Sequence, residues 1–241
     1  MNKKIEYLKK YLPKEKFEVG LKRLEHGEPV QYIVGNVNFY GNTLEVNKNV
    51  LIPRFETEEL VEKLNNYINE YFKEAKTLVD IGTGSGAIAI TIKKLLNSLE
   101  VTATDISEEA LEVAKKNAKN NDVEIKFMKG NLIEPLKSKY DILVNNPPYI
   151  AFDEEIMEIV KNNEPHTALY AKEEGFYYYF EILKNASKIL NKKNIIAFEI
   201  GKTQGKKIKE YALKYFKDSF IKIEKDLQEN DRFIFIFNNV K

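Results

Sequence analysis

A glycine-rich loop is the first part of the sequence whose residues could bind a ligand. Residues 79–86 contain Gly82, Gly84 and Gly86 between an apolar run and a helical pattern. Glycines let the backbone approach a ligand, and the N-terminus of the following helix offers free N–H groups. Asp105 ends the next apolar run, where a carboxylate can accept hydrogen bonds from two ribose hydroxyls. This order predicts a nucleotide-like ligand, the alternative being a tight turn followed by a simple helix cap.

Two classes of cofactor fit this loop. The spacing Gly82-x-Gly84-x-x-Ala87 also matches the alanine-ended dinucleotide pattern, so a nicotinamide-dependent dehydrogenase is an alternative. Asp80 stands just before the first of the glycines, where its carboxylate would repel a pyrophosphate but attract a cation. S-adenosylmethionine carries an amino group and a sulfonium but no phosphate. The loop therefore favours this methyl donor over a nicotinamide dinucleotide.

A second segment carries groups that could hold an amide or an amine. A strand pattern at 140–144 runs into Asn146, Pro147, Pro148 and Tyr149, at the carboxyl end of the predicted sheet, where open α/β folds bind ligands. The prolines stiffen the loop, although a Pro-Pro turn without function would look similar. The amide oxygen of Asn146 and the carbonyl of Pro147 could accept hydrogen bonds from both N–H groups of a substrate nitrogen, with Tyr149 as a wall. Such acceptors would orient a poorly nucleophilic amide nitrogen for in-line attack on a sulfonium methyl.

Alternating strand and helix patterns from residue 77 onward must position these two loops. Such alternation is typical of right-handed βαβ units in a mostly parallel sheet. Only residues 224–231 separate the last two strands, so these should pair as an antiparallel hairpin. The sequence predicts an α/β fold with a Rossmann-like, seven-stranded, mostly parallel sheet and a C-terminal antiparallel hairpin. The predicted strands are 77–81, 101–104, 124–128, 140–144, 194–200, 220–223 and 232–237, and the predicted helices are 87–97, 107–120, 153–161, 174–190 and 203–216.

The N-terminal part has a different pattern. Residues 1–75 predict a small helical and hairpin region, followed by a methyl-donor-binding domain at 76–241. Apolar spacing within 1–26 predicts two short amphipathic helices, and an acidic first turn predicts a linking helix from Thr57 to about residue 72. Three runs between these helices predict strands joined by a turn. They are 32–34, 37–40 and 44–46.

Composition excludes several function classes. The 241 residues include no cysteine, so disulfides, thiolate metal sites and cysteine nucleophiles are ruled out, and the two histidines, His26 and His166, fall in no metal-ligand or triad pattern. We therefore expect no metal. A net charge of +1 argues against extensive nucleic-acid binding. With no signal-peptide or membrane-span pattern in the sequence, a cytoplasmic protein without membrane contact is expected.

Two further features are interpreted as structural. The aromatic run at 177–180 invites an aromatic-cage interpretation, but helical spacing favours packing against the sheet. Glu199 ends a predicted strand and could contact the site. A satisfied buried hydrogen bond is the commoner explanation for such a residue.

Together the two loops resemble a known class of enzymes. Asp-Ile-Gly-Thr-Gly-Ser-Gly at 80–86 followed by Asn-Pro-Pro-Tyr at 146–149 resembles the amino-methylating S-adenosylmethionine-dependent methyltransferases. Further segments, in order from about residue 29 to the end, resemble the protein-(glutamine-N5) methyltransferases that modify peptide chain release factors. These segments are 29–35, 39–41, 50–54, 56–58, 164–165, 168–169, 199–201, 225–227 and 231–232.

The resemblance implies a role for each matching residue. Leu132 would lie beside the adenine, and Asn146 would bridge donor and substrate. Three departures are Phe55 in place of a second proline, Leu132 where some members carry tryptophan, and a short N-terminal helical region, which bears on substrate docking. The implied donor-binding residues are Asp80, Ile81, Gly82, Thr83, Gly84, Asp105, Leu132 and Asn146, the implied catalytic residues are Asn146, Pro147 and Tyr149, and the implied substrate-binding residues are Asn146, Pro147, Pro148 and Tyr149.

The same resemblance implies a protein substrate, the glutamine of the Gly-Gly-Gln segment of a release factor. Adenine-N6 methyltransferases of DNA are the alternative, because Asn-Pro-Pro-Tyr also occurs in enzymes that methylate a flipped base. A DNA enzyme needs additional surface for phosphate and base contacts. Residues 77–241 are largely taken up by the sheet, and the charge-balanced remainder has no helix-turn-helix or zinc pattern. The sequence therefore favours the release factor.

Overall fold

A computed structural model describes residues 2–240, and the strands in that range form a two-stranded and a seven-stranded sheet. The large sheet has the order β5-β4-β3-β6-β7-β9-β8, with β3 to β7 parallel and β9 antiparallel to both β7 and β8. The predicted Rossmann-like sheet with its C-terminal hairpin is confirmed. The strands are β1 (Asn36–Phe39), β2 (Asn42–Glu45), β3 (Thr77–Ile81), β4 (Glu100–Asp105), β5 (Lys126–Lys129), β6 (Tyr140–Asn145), β7 (Leu190–Glu199), β8 (Phe220–Lys225) and β9 (Asp231–Asn238).

Helices cover both faces of the large sheet. Buried apolar side chains of α4 and α5 pack with the β1–β2 hairpin against one face, and those of α8 and α9 pack against the other. Strands that are buried on both faces have continuous apolar sequences, and this pattern allowed them to be predicted from the sequence. The helices are α1 (Asn2–Tyr11), α2 (Phe17–Glu25), α3 (Val30–Val34), α4 (Phe55–Tyr71), α5 (Ala87–Leu95), α6 (Glu108–Asn120), α7 (Glu158–Asn163), α8 (Tyr177–Asn185) and α9 (Gly205–Ala212).

The predicted strand at 32–34 is wrong, because the segment forms the short helix α3. Pro29 stands at its N-terminus, and Gly35 ends it in the left-handed conformation, with φ of +86°. The Gly35 N–H donates to the Gln31 carbonyl at 2.7 Å. Proline at the start and glycine at the end suit a helical turn, and they outweigh the β-branched residues between them.

Two predicted helices begin later than expected. The helix predicted at 174–190 begins at Tyr177, because Glu173, Glu174 and Gly175 all have positive φ and cannot belong to a right-handed helix. The helix predicted at 153–161 is displaced to Glu158–Asn163, after an extended residue at its N-terminus. The remaining differences are of one to five residues at element ends.

No helix among residues 2–240 is long and apolar enough to cross a membrane. Within the same range, no group of three or more histidine or acidic side chains is arranged to hold a metal ion.

Candidate active site

The two predicted loops meet at the carboxyl edge of the sheet, around its central strand. β3 lies between β4 and β6, and the parallel register places Ile81 beside both Thr104 and Asn145. The three strands therefore end side by side, where the strand order reverses and open α/β sheets bind ligands. Segments that are far apart in the sequence are thus brought to one edge.

The backbone of the glycine loop requires glycine. Gly82 and Gly84 have φ of +65° and +55°, a left-handed conformation that other residues rarely adopt. The Gly84 N–H donates to Asp105 Oδ2 at 2.9 Å, and the Ser107 N–H donates to Asp105 Oδ1 at 3.0 Å. Each carboxylate oxygen can accept a further hydrogen bond. Asp105 therefore ties the loop to β4 while keeping capacity for a ligand's hydroxyls.

A cavity that is open to solvent lies at this loop, and its empty space of about 1110 Å³ includes some of the solvent outside its mouth. Leu132 lines it with φ of +48°. Such a backbone is uncommon for a non-glycine residue and is concentrated at ligand sites. The predicted donor-binding residues that line this cavity are Ile81, Gly82, Thr83, Gly84, Asp105, Leu132 and Asn146.

Asp80 was also predicted to bind the donor, but it does not line the cavity. It is 1% exposed, and its Oδ2 accepts a hydrogen bond from the Thr83 hydroxyl at 2.6 Å. Its Oδ1 accepts no hydrogen bond of normal geometry from the described residues. Burial raises the pKa of the carboxyl to about 7, although the Thr83 hydroxyl and the nearby Ala89 N–H act in the opposite direction. An unsatisfied acceptor next to the loop fits a cationic ligand such as S-adenosylmethionine better than a pyrophosphate.

Later segments of the chain hold the Asn-Pro-Pro-Tyr loop in place. Gln204 donates from Nε2 to the Tyr149 carbonyl at 3.1 Å, and its Oε1 accepts from the Gly201 N–H at 2.9 Å. Gly175, with φ of +87°, packs so closely that a Cβ atom there would stand 2.2 Å from the Tyr149 oxygen. The shape of the loop depends on Gln204 and Gly175, which the sequence did not point to.

Gly175→Ala is expected to lower the free energy of unfolding by about 2–4 kcal/mol, because both the backbone strain and the overlap with Tyr149 must be relieved. Gly27→Ala is the matched control. Gly27 has φ of +86° with no atom near the position of a Cβ, so only the strain of about 1–2 kcal/mol applies there. Urea denaturation measures both variants. Equal losses would show that the contact with Tyr149 is unimportant.

A second cavity adjoins the first at the Asn-Pro-Pro-Tyr loop. Tyr149 and Arg54 line the second cavity, whereas Pro148 lines the first. Asn146 and Pro147 line both. Two of the three predicted catalytic residues, Asn146 and Pro147, therefore stand at the junction of the two cavities, as transfer from a ligand in one to a ligand in the other requires.

A chain of hydrogen bonds holds Asn146. Its Nδ2 donates to Thr57 Oγ1 at 3.1 Å, and the Thr57 hydroxyl donates to Glu199 Oε2 at 2.7 Å. The buried hydrogen bond expected for Glu199 is confirmed, but the residue also lines the second cavity. Thr57 was predicted only as the start of a helix. Thr57 is 5% exposed and Glu199 is 2% exposed, so the hydrogen bond between them is buried.

The carboxyl of Glu199 titrates near neutral pH. Burial raises its pKa to about 7, although the hydrogen bond from Thr57 and the charge of Arg232 act in the opposite direction. Burial also raises the pKa of the Tyr149 phenol. Tyr149 therefore stays neutral in the pH range where Glu199 changes charge.

An ion pair fixes the segment before α4, which contributes to both cavities. Glu164, which is buried, accepts from Arg54 Nη2 through Oε1 at 2.6 Å and from the Ile52 N–H through Oε2 at 3.1 Å. Leu51, next to Ile52, lines both cavities. Glu164 therefore holds this segment against the site, while Phe55, the departure noted in the sequence, is exposed.

Known proteins are similar in sequence to most of this chain. A sequence model of the methyltransferase small domain family matches residues 55–175. A release factor glutamine methyltransferase of Staphylococcus aureus is 42% identical over 226 residues, which cover 91% of this chain and 79% of that protein. The Bacillus subtilis protein of the same name is 42% identical over 217 residues, covering 87% and 75%. A solved methyltransferase structure from Pyrococcus furiosus has a TM-score of 0.61 at 17% identity, covering 90% of this chain and 96% of that one, and shows the same fold.

Proposed function

Because this chain belongs to the release factor glutamine methyltransferase family, we propose that it methylates the side-chain amide nitrogen, N5, of the glutamine in the Gly-Gly-Gln segment of a peptide chain release factor. The methyl donor is S-adenosylmethionine. The observation that carries the proposal is the junction of two cavities at Asn146 and Pro147. The donor would occupy the first cavity, and the glutamine would enter through the second.

The residues at the junction orient the nitrogen. When bound, the donor would supply an electrophilic methyl carbon on a positively charged sulfur, and cleavage of the S–CH₃ bond would leave S-adenosylhomocysteine as the product. Asn146 Oδ1 and the Pro147 carbonyl accept hydrogen bonds from the two amide N–H groups, which turns the nitrogen lone pair toward the first cavity. Tyr149, which is neutral, walls the second cavity. Water takes the proton that the nitrogen loses, because a nitrogen-protonated amide is a strong acid, so no side chain has to act as a base.

The first cavity provides the groups that would hold the donor. The backbone of Ile81 to Gly84 would approach the donor closely, as left-handed glycines allow. Asp105 would accept hydrogen bonds from the ribose hydroxyls, and Leu132 would pack beside the adenine. Asp80, with an unsatisfied oxygen, would act on the donor's amino group from behind the loop.

The N-terminal region would help to dock the release factor. Helices α1 to α3 share a small apolar cluster of their own, built on Leu8, Leu24, Val30 and Ile33. Leu51 and Arg54 of the same N-terminal region line the second cavity, so residues 1–75 would present a surface beside it for the body of the substrate. The reaction would take place in the cytoplasm, without nucleic acid, membrane or metal as a partner.

The substrate assignment is tested by a labelled-methyl assay that offers a purified release factor and duplex DNA side by side. Methyl label is expected in the release factor, and mass spectrometry should place it on the glutamine of the Gly-Gly-Gln segment. A release factor with that glutamine replaced by glutamate is the matched control and should take up no label. Incorporation into adenine, with the release factor left unmodified, would overturn the assignment.

A further inference from the structure

We propose that Thr57 and Glu199 are positioning residues that fix which way the carboxamide of Asn146 faces. The inference rests on the proposed function, because it concerns the acceptor that would hold the glutamine. Thr57 lies in the first turn of α4, and Glu199 is the last residue of β7. Their side chains form one chain of hydrogen bonds that ends on Asn146 at the junction of the cavities.

The hydrogen-bonding capacity of each group gives this series of hydrogen bonds a direction. An ionised carboxylate can only accept hydrogen bonds, so the single hydroxyl proton of Thr57 goes to Glu199. The Thr57 oxygen can then only accept from Asn146, which must turn its NH₂ group toward Thr57. The amide oxygen of Asn146 is left facing away from Thr57, where it can accept from a substrate N–H. The Asn146 side chain also hydrogen-bonds to Glu199 itself, and because the carboxylate can only accept, this contact favours the same orientation of the carboxamide.

Protonation of Glu199 would remove that direction. A protonated carboxyl can donate to Thr57, whose hydroxyl is then free to donate to Asn146. Asn146 would then turn its oxygen toward Thr57 and its NH₂ group toward the substrate N–H, which repels it. The carboxylate is therefore the active form. Because burial raises the pKa of Glu199 to about 7, its carboxyl changes charge close to neutral pH.

Charged and titratable groups surround Glu199 on several elements. Glu56 on α4 raises the pKa of its carboxyl, and Arg232 on β9 lowers it. Arg232 donates to Asp226 at 3.1 Å and to the Ile200 carbonyl at 3.2 Å, so the structure shows its hydrogen bonds directed to groups other than Glu199. Tyr149 faces the same carboxyl, and the Tyr179 hydroxyl donates to the Glu199 carbonyl at 2.8 Å. Both phenols have raised pKa values and stay neutral near pH 7.

The hydroxyl of Thr57 is tested by Thr57→Val and Thr57→Ser, with methyl transfer measured at saturating donor. Thr57→Val keeps the shape but loses the hydroxyl. Thr57 also lines the first cavity, but its hydroxyl bonds to Glu199 and Asn146, so we expect kcat to fall about 100-fold and the dissociation constant of S-adenosylhomocysteine to change by less than about threefold. Thr57→Ser restores the hydroxyl and should stay within about threefold of the unmodified protein. Thr91→Val is the matched control, because Thr91 is a buried helical threonine that lines neither cavity. A normal kcat for Thr57→Val would overturn the proposal.

The carboxyl of Glu199 is tested by Glu199→Gln, which has the same shape and no titration. In the unmodified protein, kcat is expected to fall about tenfold for each pH unit below 7, since only the carboxylate form is active. Glu199→Gln should lower kcat and lose this pH dependence. Glu59→Gln, a buried glutamate that lines neither cavity, should keep it. The same acid limb in Glu199→Gln would refute the role of this carboxyl.

A spectroscopic measurement separates this inference from the proposed function. The side-chain amide resonance of Asn146, assigned by its absence in Asn146→Ala, should titrate near pH 7 in the unmodified protein and not in Glu199→Gln. If no release factor is methylated, the proposed function fails, while the titration still decides the orientation of Asn146. An Asn146 resonance that behaves alike in both proteins would overturn the positioning role.

Discussion

Asn146→Ala is expected to lower kcat for methyl transfer by about 100- to 1000-fold, more than replacement of Thr57, Glu199 or Asp105 should. The variant removes an oxygen that would accept from the substrate amide, and loss of one oriented hydrogen-bonding group at a reacting centre costs about this much. The measurement is single-turnover transfer of a labelled methyl group to a release factor. Asn146 is only partly buried, so the fold should survive its replacement.

The control for this variant must show that the loss is chemical. Asn69→Ala removes an exposed asparagine of α4 that bonds within its own helix, and it should leave kcat unchanged. Circular dichroism and the dissociation constant for S-adenosylhomocysteine should be the same in both variants and in the unmodified protein. Near-normal turnover by Asn146→Ala would contradict the orienting role, whatever the substrate is.

Asp105→Ala is expected to weaken binding of S-adenosylmethionine by about 10- to 100-fold, because hydrogen bonds to a charged acceptor contribute about 1.5–3 kcal/mol. The same change removes the acceptor for the Gly84 N–H, which shapes the glycine loop. Titration calorimetry with S-adenosylmethionine, and with S-adenosylhomocysteine, which carries the same ribose, gives the dissociation constants. At saturating donor, kcat should change far less than in Asn146→Ala.

Two further variants serve as controls for the donor affinity of Asp105→Ala. Asp105→Asn keeps one acceptor oxygen and should bind the donor with an intermediate affinity. Asp218→Ala removes an exposed aspartate away from both cavities and should bind it normally. An unchanged affinity in Asp105→Ala would exclude the expected contact with the ribose.

The parts of the site that the sequence predicted are those in which one continuous segment carries both structure and chemistry. The glycine loop is flanked by a buried strand and a helix, and the Asn-Pro-Pro-Tyr loop follows another buried strand. Buried parallel strands are strongly apolar, so their ends could be located within a few residues. Once β3, β4 and β6 were known as neighbouring parallel strands, Asp105 and Asn146 had to share an edge.

The sequence could not reveal supporting residues that act across long separations. Thr57 looks like an ordinary residue of a helix N-terminus, and Gln204 like an ordinary residue in the first turn of the predicted helix 203–216. Their roles arise from contacts with Asn146 and Tyr149, and no local pattern encodes such contacts. Glu199 could be recognised in part, because it is a carboxylate at the end of a predicted buried strand. The resemblance of residues 199–201 to a family segment was the stronger indication that it lies near the site. The misassigned strand at 32–34 failed for a local reason, since the end residues of α3 decide its conformation.

The hydrogen bonds on Thr57 join parts of the chain that are 89 and 142 residues apart. Closing such long loops is costly in chain entropy, so these contacts depend on the sheet and α4 having assembled first. If the sheet and α4 assemble first, secondary structure and much of the core would form while Asn146 is still free to rotate. A newly synthesised chain would therefore pass through a stage at which most of its structure has formed but it is still inactive. Catalytic activity would be among the last properties that it acquires.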